Sequence, residues 1–498
     1  MKHYLIIPLG GLGMRFVNSG YKTYKPFLKT SNKSRVIDNI VNNFPKKNTH
    51  VIIIGNIKRY RNIVSNFKRK DTSFIKIKDH KSGPLYSIFL AKKKLREIIK
   101  NNKFFISYSD INWKWDFNVV EKNLSKKNII IYSHIGFHPH LETNPKSDFF
   151  LCNKKGEVNN VSEKQSILND YKKNYLAIGC YYFRNFQYFE NFFKENDFKK
   201  QINKKEIYVI NLLNNCLKNK IRINHFTINQ FVHLGIPNQY EDFLSWNDIL
   251  INKFKKSMNL KYPSIMLMAG KGERVKNLKE KKPFLSIREN KIYEYIFIKY
   301  GSKKNHIITN DNYFKSINKK YEIFKINNSK SMLETVEKSI DFLKNKKNFF
   351  ILSCDCFGLF EKLKFERFVK KENPDVVLFG FKISELQKSL FNAHSSIKLK
   401  HNKIDIIKVK KSLDKSNELG HAGFFWVKNN NIFNNLKKFS LTNKLKREIL
   451  LDDYFKFLFD KKLYRISCYK LKNYVHIGSI NEYQELKYWE NYFKNENR

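Results

Sequence analysis

The chain has 498 residues, of which 42% are hydrophobic and 15% aromatic, which excludes a disordered tail protein and a disulfide-stapled miniprotein. Lysine and arginine together number 96 against 45 aspartate and glutamate residues, a formal net charge of +51. Most of that excess is scattered lysine, so we interpret it as a solvated surface that follows from A/T-rich codons, and we expect no specific nucleic-acid partner.

Cysteine usage and hydropathy indicate the compartment. Six cysteines without a C-x-x-C pair predict reduced thiols and a cytoplasmic location. No apolar run approaches the roughly 20 residues of a membrane helix, so no membrane insertion is expected. The first seven residues are too short for a secretory signal and run into a glycine-rich turn.

Short apolar runs alternate with longer amphipathic stretches along the first half of the chain. The runs predict buried strands, and the stretches predict helices such as residues 85–100. The predicted strands of this half are 4–8, 51–55, 104–108 and 129–133.

The second half repeats this alternation, with a predicted helix over residues 332–343. Its predicted strands are 264–268, 306–309, 349–353 and 376–379. Such an alternation indicates an α/β fold with a mostly parallel sheet between helices, and ligands of such sheets bind beyond the carboxyl ends of the strands.

Five motifs of the first half recur in the second half in the same order. They are LGGLGMRF and MAGKGERV, KPFL and KPFL, FFISYSD and FFILSCD, GCYYFRN and GFFWVKN, and VHLGIPNQY and VHIGSINEY. The order predicts two homologous domains, residues 1–250 and 262–498, joined by a short segment that is not rich in glycine or serine.

A glycine-rich turn after the first predicted strand lets backbone N–H groups approach a ligand closely. Arg15 and Lys25 follow this turn, and two cations beside it suit a triphosphate and a pyrophosphate leaving group. A tight structural turn with solvent-facing cations explains one copy equally well, but it explains the same constellation found twice less well.

The run over residues 9–28, GGLGMRF followed by YKPFL, resembles the signature of the sugar-phosphate nucleotidyltransferases and the related molybdenum-cofactor guanylyltransferase-like enzymes. The resemblance covers nearly the whole chain and implies two tandem Rossmann-like nucleotidyltransferase domains. It also implies Mg²⁺-dependent transfer of a nucleotidyl group from an NTP to a sugar phosphate, which releases pyrophosphate and supplies polysaccharide or glycoconjugate synthesis.

The same resemblance implies roles for individual residues. The implied catalytic residues are Arg15, Lys25 and Lys164, and the implied metal ligands are Asp110 and Asp355. Nucleotide binding is implied for Leu9, Gly10, Gly11, Gly13, Ser82, Gly83 and Pro84, and in the second copy for Ala269, Gly270, Gly272, Arg274 and Lys282. Glu163 and Gly179 are implied to bind the sugar-phosphate substrate.

Several positions depart from the family pattern. His233 and His476 stand where many members have a second metal-binding aspartate. In the second copy Ser331, Met332 and Val409 replace Gly83, Pro84 and Glu163. We therefore expect the first domain to be the catalyst, and the second to be a slower enzyme, an enzyme for another sugar or a nucleotide-binding regulatory partner.

Other interpretations remain open on the sequence. A glycosyltransferase would share a similar fold but prefers a D-x-D metal motif, where this chain has D-I-N at residues 110–112. A non-catalytic nucleotide or sugar sensor is the alternative outside the enzymes. The histidines of GFHPH, residues 136–140, are either acceptor-binding groups or surface-loop residues, and Glu206 is either an acceptor contact or an acid that suits a helix N-terminus.

Overall fold

The computed structural model describes residues 2–31, 34–64, 71–125, 127–142, 146–202, 206–252, 257–270, 278, 280–302, 304–383, 395–410, 418–442 and 447–494. The chain divides into two compact units, a first unit, Met1–Leu244, and a second unit, Ser245–Arg498. No helix of the described residues is long and apolar enough to span a bilayer.

The first unit contains two kinds of regular element. Its strands are β1 His3–Leu9, β2 Thr49–Gly55, β3 Thr72–Lys76, β4 Phe104–Ser107, β5 Ile111–Lys114, β6 Ile129–Ile135, β7 Phe149–Cys152, β8 Val158–Ser162, β9 Tyr175–Phe183, β10 Ile223–Thr227 and β11 Gln230–His233. Its helices are α1 Met14–Asn18, α2 Val36–Asn42, α3 Ile57–Val64, α4 Pro84–Ile99, α5 Phe117–Asn123, α6 Gln187–Lys194, α7 Asn196–Ile202, α8 Val209–Lys218 and α9 Pro237–Asn247, which extends past the end of the unit.

The main sheet of the first unit has the order β10-β6-β9-β4-β1-β2-β3, and the hairpin β7–β8 pairs with β9. Strands β4, β1, β2 and β3 are parallel to one another, and β6 is parallel to β10. Strand β9 is antiparallel to its neighbours β4 and β6. A small antiparallel pair, β5 and β11, stands beside this sheet.

The strands of this sheet are apolar on both sides, and helices cover both of its faces. Ile106 of β4 packs in one core cluster with Leu85 of α4. Its neighbour Phe105 points to the other face, where its ring lies 5.1 Å from that of Phe44, just after α2. The carboxyl ends of the parallel strands are thereby left open at one edge of a rigid layer.

The second unit repeats this plan. Its strands are β12 Ser264–Met268, β13 Ser286–Ile287, β14 Asn290–Lys291, β15 Asn305–Thr309, β16 Glu322–Lys325, β17 Lys347–Ser353, β18 Cys356–Leu359, β19 Val376–Phe381, β20 Ser396–Lys400, β21 Lys403–Lys408, β22 Glu418–Asn429, β23 Ile466–Lys470 and β24 Asn473–His476. Its helices are α10 Ile292–Tyr300, α11 Asp311–Phe314, α12 Met332–Lys338, α13 Ile340–Leu343, α14 Lys362–Glu372, α15 Leu436–Thr442, α16 Leu451–Asp460 and α17 Ile480–Phe493.

The order of its main sheet is β16-β15-β12-β17-β22-β19-β23. It matches the first unit strand for strand when that sheet is read from β3 to β10. The hairpin β20–β21 pairs with β22 as β7–β8 pairs with β9, and β18–β24 matches β5–β11. The predicted α/β class, with a mostly parallel sheet flanked by helices in each half, is confirmed.

One predicted helix is interrupted. The sequence predicts a continuous helix over 332–343, but α12 ends and α13 begins around Ser339. The Ser339 hydroxyl donates hydrogen bonds to the carbonyls of Thr335 and Val336, at 2.8 and 3.1 Å. Such a bond from a serine back to the preceding turn competes with the helical ladder, and the chain bends there.

Candidate active site

A cleft of about 500 Å³ opens in the first unit beyond the carboxyl ends of β1 and β4. Four segments line it: the glycine-rich turn after β1, the 3₁₀ turn Lys25–Phe27, the start of α4 and the bend after β4. The segment just before α8 completes the wall with Glu206 and Tyr208. The location agrees with the ligand position expected for parallel α/β sheets.

The glycine-rich turn follows Leu9, which is buried at the end of β1. A Cβ at Gly10 would lie 2.3 Å from His80 Nε2 and 2.5 Å from Ser87 Oγ, so only glycine fits against this wall. Gly11 and Gly13 are exposed and have open space around them, and Gly13 has a φ of +64° where α1 begins. The turn therefore presents bare backbone to the cleft.

Three charged side chains meet below this turn. The Lys25 ammonium donates a hydrogen bond of 3.0 Å to Asp110 Oδ2. Arg15, in the short helix α1, is exposed on the wall of the cleft and makes no side-chain hydrogen bond or salt bridge with a described residue. The cleft thus combines one paired carboxylate with a guanidinium that is available to an anion.

The environment keeps Asp110 ionised. Burial by itself raises the pKa of a carboxyl group, but the charges of Lys25, His233 and Arg15 and the hydrogen bond from Lys25 together lower the pKa of Asp110 below its usual range. An ionised carboxylate at the end of a strand supplies the hard oxygen atoms that Mg²⁺ prefers.

His233 lies near Asp110, outside the residues that line the cleft, and is itself held in place. Its Nδ1 lies 3.0 Å from Gln239 Oε1, and the same amide oxygen accepts the Gly235 N–H at 3.1 Å. Burial lowers the pKa of His233 although the nearby Asp110 carboxylate favours its charged form. Gln239 lies in a motif that is repeated along the sequence, but its contact with His233 is visible only in the structure.

The histidines of the GFHPH segment are neither surface-loop residues nor part of the cleft lining. His138 and His140 are 1% and 3% exposed. His140 Nδ1 lies 3.0 Å from the His233 carbonyl oxygen, and Nε2 lies 3.1 Å from Asp242 Oδ2. They support the end of β11, where His233 lies, a tertiary role that no local pattern indicates.

Gly83 joins the start of α4 to the segment before α8. Its φ is +86°, and a Cβ there would lie 2.5 Å from the Ile207 carbonyl oxygen. The Ser82 carbonyl accepts the Ile207 N–H at 2.8 Å, and Pro84 begins α4. Gly83 and Pro84 line the cleft, whereas Ser82 lies behind them as an anchor for residues 206–208.

Lys164 is not among the residues that line the cleft, but its side chain contacts two of them. Its ammonium is 3.4 Å from Glu206 Oε2 and 4.3 Å from the centre of the Tyr208 ring. The Tyr208 hydroxyl also donates a hydrogen bond to Glu206. Glu206, for which the sequence left two roles open, thus faces the cleft, and Tyr208 is a member of this group that the sequence did not indicate.

Neither of the two residues that the resemblance implies for substrate binding, Glu163 and Gly179, lines the cleft. The Glu163 carboxylate accepts a 2.9 Å hydrogen bond from Asn211 Nδ2. Gly179 is buried with a φ of +87°, and a Cβ there would lie 2.8 Å from the ring of Tyr108. Gly179 therefore makes room for Tyr108, which does line the cleft.

The second unit has the corresponding charged pair. Lys282, in the 3₁₀ turn Lys282–Phe284, donates a hydrogen bond to Asp355, and so does Ser353. Burial raises the pKa of Asp355, but Lys282 and His476 outweigh it and hold the pKa well below the usual range. Here the His476 Nδ1 lies 2.8 Å from a carboxylate, that of Glu482, instead of an amide.

The glycine-rich turn of the second unit is described in part. Ala269 is buried, and its carbonyl accepts a hydrogen bond of 2.8 Å from Asn310 Nδ2. The Gly270 carbonyl accepts a bond of 2.7 Å from the Tyr313 hydroxyl. The predicted residues Gly272 and Arg274 lie outside the described residues.

The described residues contain no group of three or more histidine, cysteine, aspartate or glutamate side chains arranged to hold a metal ion. Mg²⁺ does not need such a cage, because proteins often bind it through one or two carboxylates together with substrate phosphates and water. Asp110, ionised and facing the cleft, fits that mode of binding.

No family model matches the chain, and no curated protein matches it. Among solved structures, it is similar to the nucleoside-diphosphate-sugar pyrophosphorylase from Vibrio cholerae RC9, at 16% identity and a TM-score of 0.40 over 48% of this chain and 99% of that one. It is also similar to the inositol-1-phosphate CTP transferase from T. maritima, at 17% identity and a TM-score of 0.37 over 46% of this chain and 96% of that one. It is similar as well to a UDP-glucose pyrophosphorylase complexed with UDP-glucose, at 15% identity and a TM-score of 0.38 over 47% of this chain and 99% of that one.

Proposed function

We propose that the first unit transfers a nucleotidyl group from an NTP to a sugar phosphate, releasing pyrophosphate and forming a nucleotide sugar for polysaccharide or glycoconjugate synthesis. The observation that carries this proposal is the Lys25–Asp110 pair, joined at 3.0 Å below an open glycine-rich turn. One cleft there combines bare backbone, two cations and an ionised carboxylate, which is the set of groups that phosphoryl chemistry uses.

In this proposal the exposed turn at Gly11 and Gly13 binds the triphosphate through backbone N–H groups. Arg15 and Lys25 stabilise the negative charge that grows on the leaving pyrophosphate. Asp110 holds Mg²⁺ together with phosphate oxygens and water, and the ion supplies charge neutralisation and orientation of the phosphates. His233, held by Gln239, lies beside Asp110.

The acceptor enters from the side of Lys164, where a cation suits the phosphate group of the sugar. The Lys164 ammonium contacts Glu206 and the Tyr208 ring. The side chains of Lys164 and Glu206 are 46% and 47% exposed. Exposed ion pairs are weak, typically about 0–1 kcal/mol, so an incoming phosphate can take Lys164 from Glu206.

The second unit serves as a nucleotide-binding partner of the first in this proposal. The carboxylate–lysine pair and the KPFL turn are present, but Ser331, Met332 and Val409 replace the acceptor-side residues.

The six cysteines are all free thiols, and we propose that the protein works in the reducing cytoplasm.

The experiment is a pyrophosphate-release assay with the four NTPs against a panel of sugar phosphates, comparing Asp110→Asn with the matched variant Asp355→Asn. Turnover should require one NTP, one sugar phosphate and Mg²⁺. Asp110→Asn should lower it sharply and raise the Mg²⁺ concentration needed, because an amide oxygen binds the ion weakly. Pyrophosphate release without a sugar phosphate, or an Mg²⁺ dependence unchanged in Asp110→Asn, would contradict the proposal.

A further inference from the structure

A second cleft, of about 850 Å³, lies in the second unit away from the carboxyl ends of its parallel strands. It runs beside β23, the last strand in the sheet order, at the end where β23 and β19 begin. The end of α14, the residues after α16 and the turn of the hairpin β20–β21 form its walls.

The cleft is strongly cationic. Five cations line it, Lys371, Lys403, Lys428, Lys462 and Arg465, against the two carboxylates of Glu372 and Asp375. The Asp375 carboxylate already accepts a 2.8 Å hydrogen bond from the backbone N–H of Arg465. Within the described part of the chain, Lys371, Lys403 and Lys462 have no carboxylate within salt-bridge distance.

The first unit has the same framework, and its charge differs at the hairpin turn. Each hairpin, β7–β8 in the first unit and β20–β21 in the second, has a bulge near its turn. After the bulge Cys152 pairs with Val158 in the first unit, and Leu399 pairs with Ile404 in the second. The residue before Val158 is Glu157 and the residue before Ile404 is Lys403, so these two positions correspond.

An arginine stands at matching places on the facing strand, because Arg222 directly precedes β10 and Arg465 directly precedes β23. In the first unit Arg222 Nε lies 2.8 Å from Glu157 Oε1. The second unit replaces that acid by Lys403, so the arginine loses its carboxylate partner and a further cation is added. Like charges that face one cleft are unfavourable unless an anion binds between them.

We propose that this cleft is a binding site for a small molecule that carries a chain of two or more phosphate groups. Arg465, whose Nη1 donates long hydrogen bonds of 3.4 Å to the Glu372 and Asn373 carbonyls, supplies guanidinium N–H groups for phosphate oxygens. The surrounding lysines supply point charges along an extended anion. The site is separate from the proposed nucleotidyl-transfer site of the first unit, and its existence does not depend on that activity.

The test is isothermal titration of the full-length protein with inorganic tripolyphosphate at physiological salt. The variant Lys403→Glu restores the acid found in the first unit and should form an ion pair with Arg465. Its control is Lys398→Glu, the same charge change at an exposed lysine of the same hairpin outside the cleft lining. Other tripolyphosphate sites, including the first-unit cleft, are identical in the two variants.

The wild type and Lys398→Glu should each bind tripolyphosphate at one more site than Lys403→Glu, or at least about 10-fold more tightly at that site. Lys403→Gln, which removes the cation without adding an acid, should give an intermediate loss and serves if Lys403→Glu does not fold. Identical isotherms for Lys403→Glu and Lys398→Glu would overturn the proposal. So would single-stranded RNA that binds through Lys403 and is not displaced by tripolyphosphate, since the ligand would then be a nucleic acid.

Discussion

The two units differ most where their common framework is least constrained. In both, a lysine of a KPFL turn binds an aspartate that follows β4 or its counterpart β17. A histidine at the end of a short antiparallel pair of strands approaches that aspartate. These groups come from strand ends whose positions the sheet fixes, so the same topology yields the same pair twice.

The surroundings of Lys164 and of its counterpart Lys410 show the opposite behaviour. Lys164 and Lys410 share a positive φ, +54° and +46°, which shows that the backbone path is alike. Around them the first unit has Glu163, Gly83 and Tyr208, and the second has Val409, Ser331 and Leu450, which stand at matching points of the framework. The comparison indicates that the sheet fixes the lysine–aspartate pair and that the side chains contributed by the loops vary around it.

The largest effect is expected from removing the two lysines in turn. Lys25→Ala should reduce kcat/KM for pyrophosphate release by about 100-fold or more, because a cation that faces the leaving group is lost. Lys282→Ala should leave the main reaction within a few-fold of the wild type. It should instead destabilise the second unit by about 3 kcal/mol, since the largely buried Asp355 loses its charged partner.

Steady-state kinetics and thermal unfolding of both variants separate these outcomes. If Lys282→Ala stops turnover while Lys25→Ala is mild, the second unit is the catalyst and the assignment of the two units must be reversed.

The next effect should come from Gly83→Ala, compared with Ser331→Ala at the corresponding place. At Gly83 both the φ of +86° and the Ile207 backbone 2.5 Å away exclude a Cβ, so residues 206–208 must move. We expect a loss of kcat/KM of at least about 10-fold and of stability of about 2–4 kcal/mol.

Ser331→Ala removes only the 3.1 Å hydrogen bond from the Glu334 N–H to the serine hydroxyl at the start of α12. It should cost about 1 kcal/mol and leave turnover unchanged. Equal kinetic effects of the two variants would show that Gly83 does not position the wall of the cleft.

The sequence predicted the fold because its signals are local. The apolar runs gave the positions of β1, β2, β4 and β6 and of their repeats, and the glycine-rich turn and Asp110 each follow a predicted strand. Since the ends of parallel strands meet at one edge, their proximity could be inferred before any contact was known.

The remaining parts of the site depend on contacts between distant segments. Tyr208 lines the cleft because Gly83 holds Ile207 more than a hundred residues further along the chain. His140 is buried because it supports His233 from another loop. A histidine in such a segment looks the same in the sequence whether it is exposed or buried. The sequence therefore could not decide the location of Tyr208 or of His140.

A smaller effect is expected at Tyr208, which the second unit replaces by Leu450. Tyr208→Leu removes both the ring 4.3 Å from the Lys164 ammonium and the hydroxyl that binds Glu206. The KM for the sugar phosphate should rise about 10-fold with little change in the KM for the NTP. Tyr208→Phe keeps the ring and should raise it only about 2-fold, and an equal change in both KM values would place Tyr208 on the nucleotide side instead.

The smallest effect concerns Asp148, which precedes β7 where the second unit has Ser395 before β20. Burial raises the pKa of Asp148 to about 6 from a usual value of 3.8, although the Lys164 N–H donates a 3.2 Å hydrogen bond to it. Since the folded state binds this proton more tightly than the unfolded state, the contribution of Asp148 to stability is fully present below about pH 4 and is lost as the pH rises through about 6.

Asp148→Asn keeps an oxygen for the Lys164 N–H and removes the titration. Relative to this variant, the wild type should lose about 1–2 kcal/mol between pH 4 and pH 7, a decrease of a few degrees in the melting temperature of the first unit. Asp71→Asn is the control for the substitution itself, because Asp71 is half exposed beside Lys2. A difference between wild type and Asp148→Asn that stays constant from pH 4 to pH 8 would show that Asp148 is hydrated as it is in the unfolded chain. Asp148 and Ser395 would then be equivalent, and this position would not contribute to the difference between the two units.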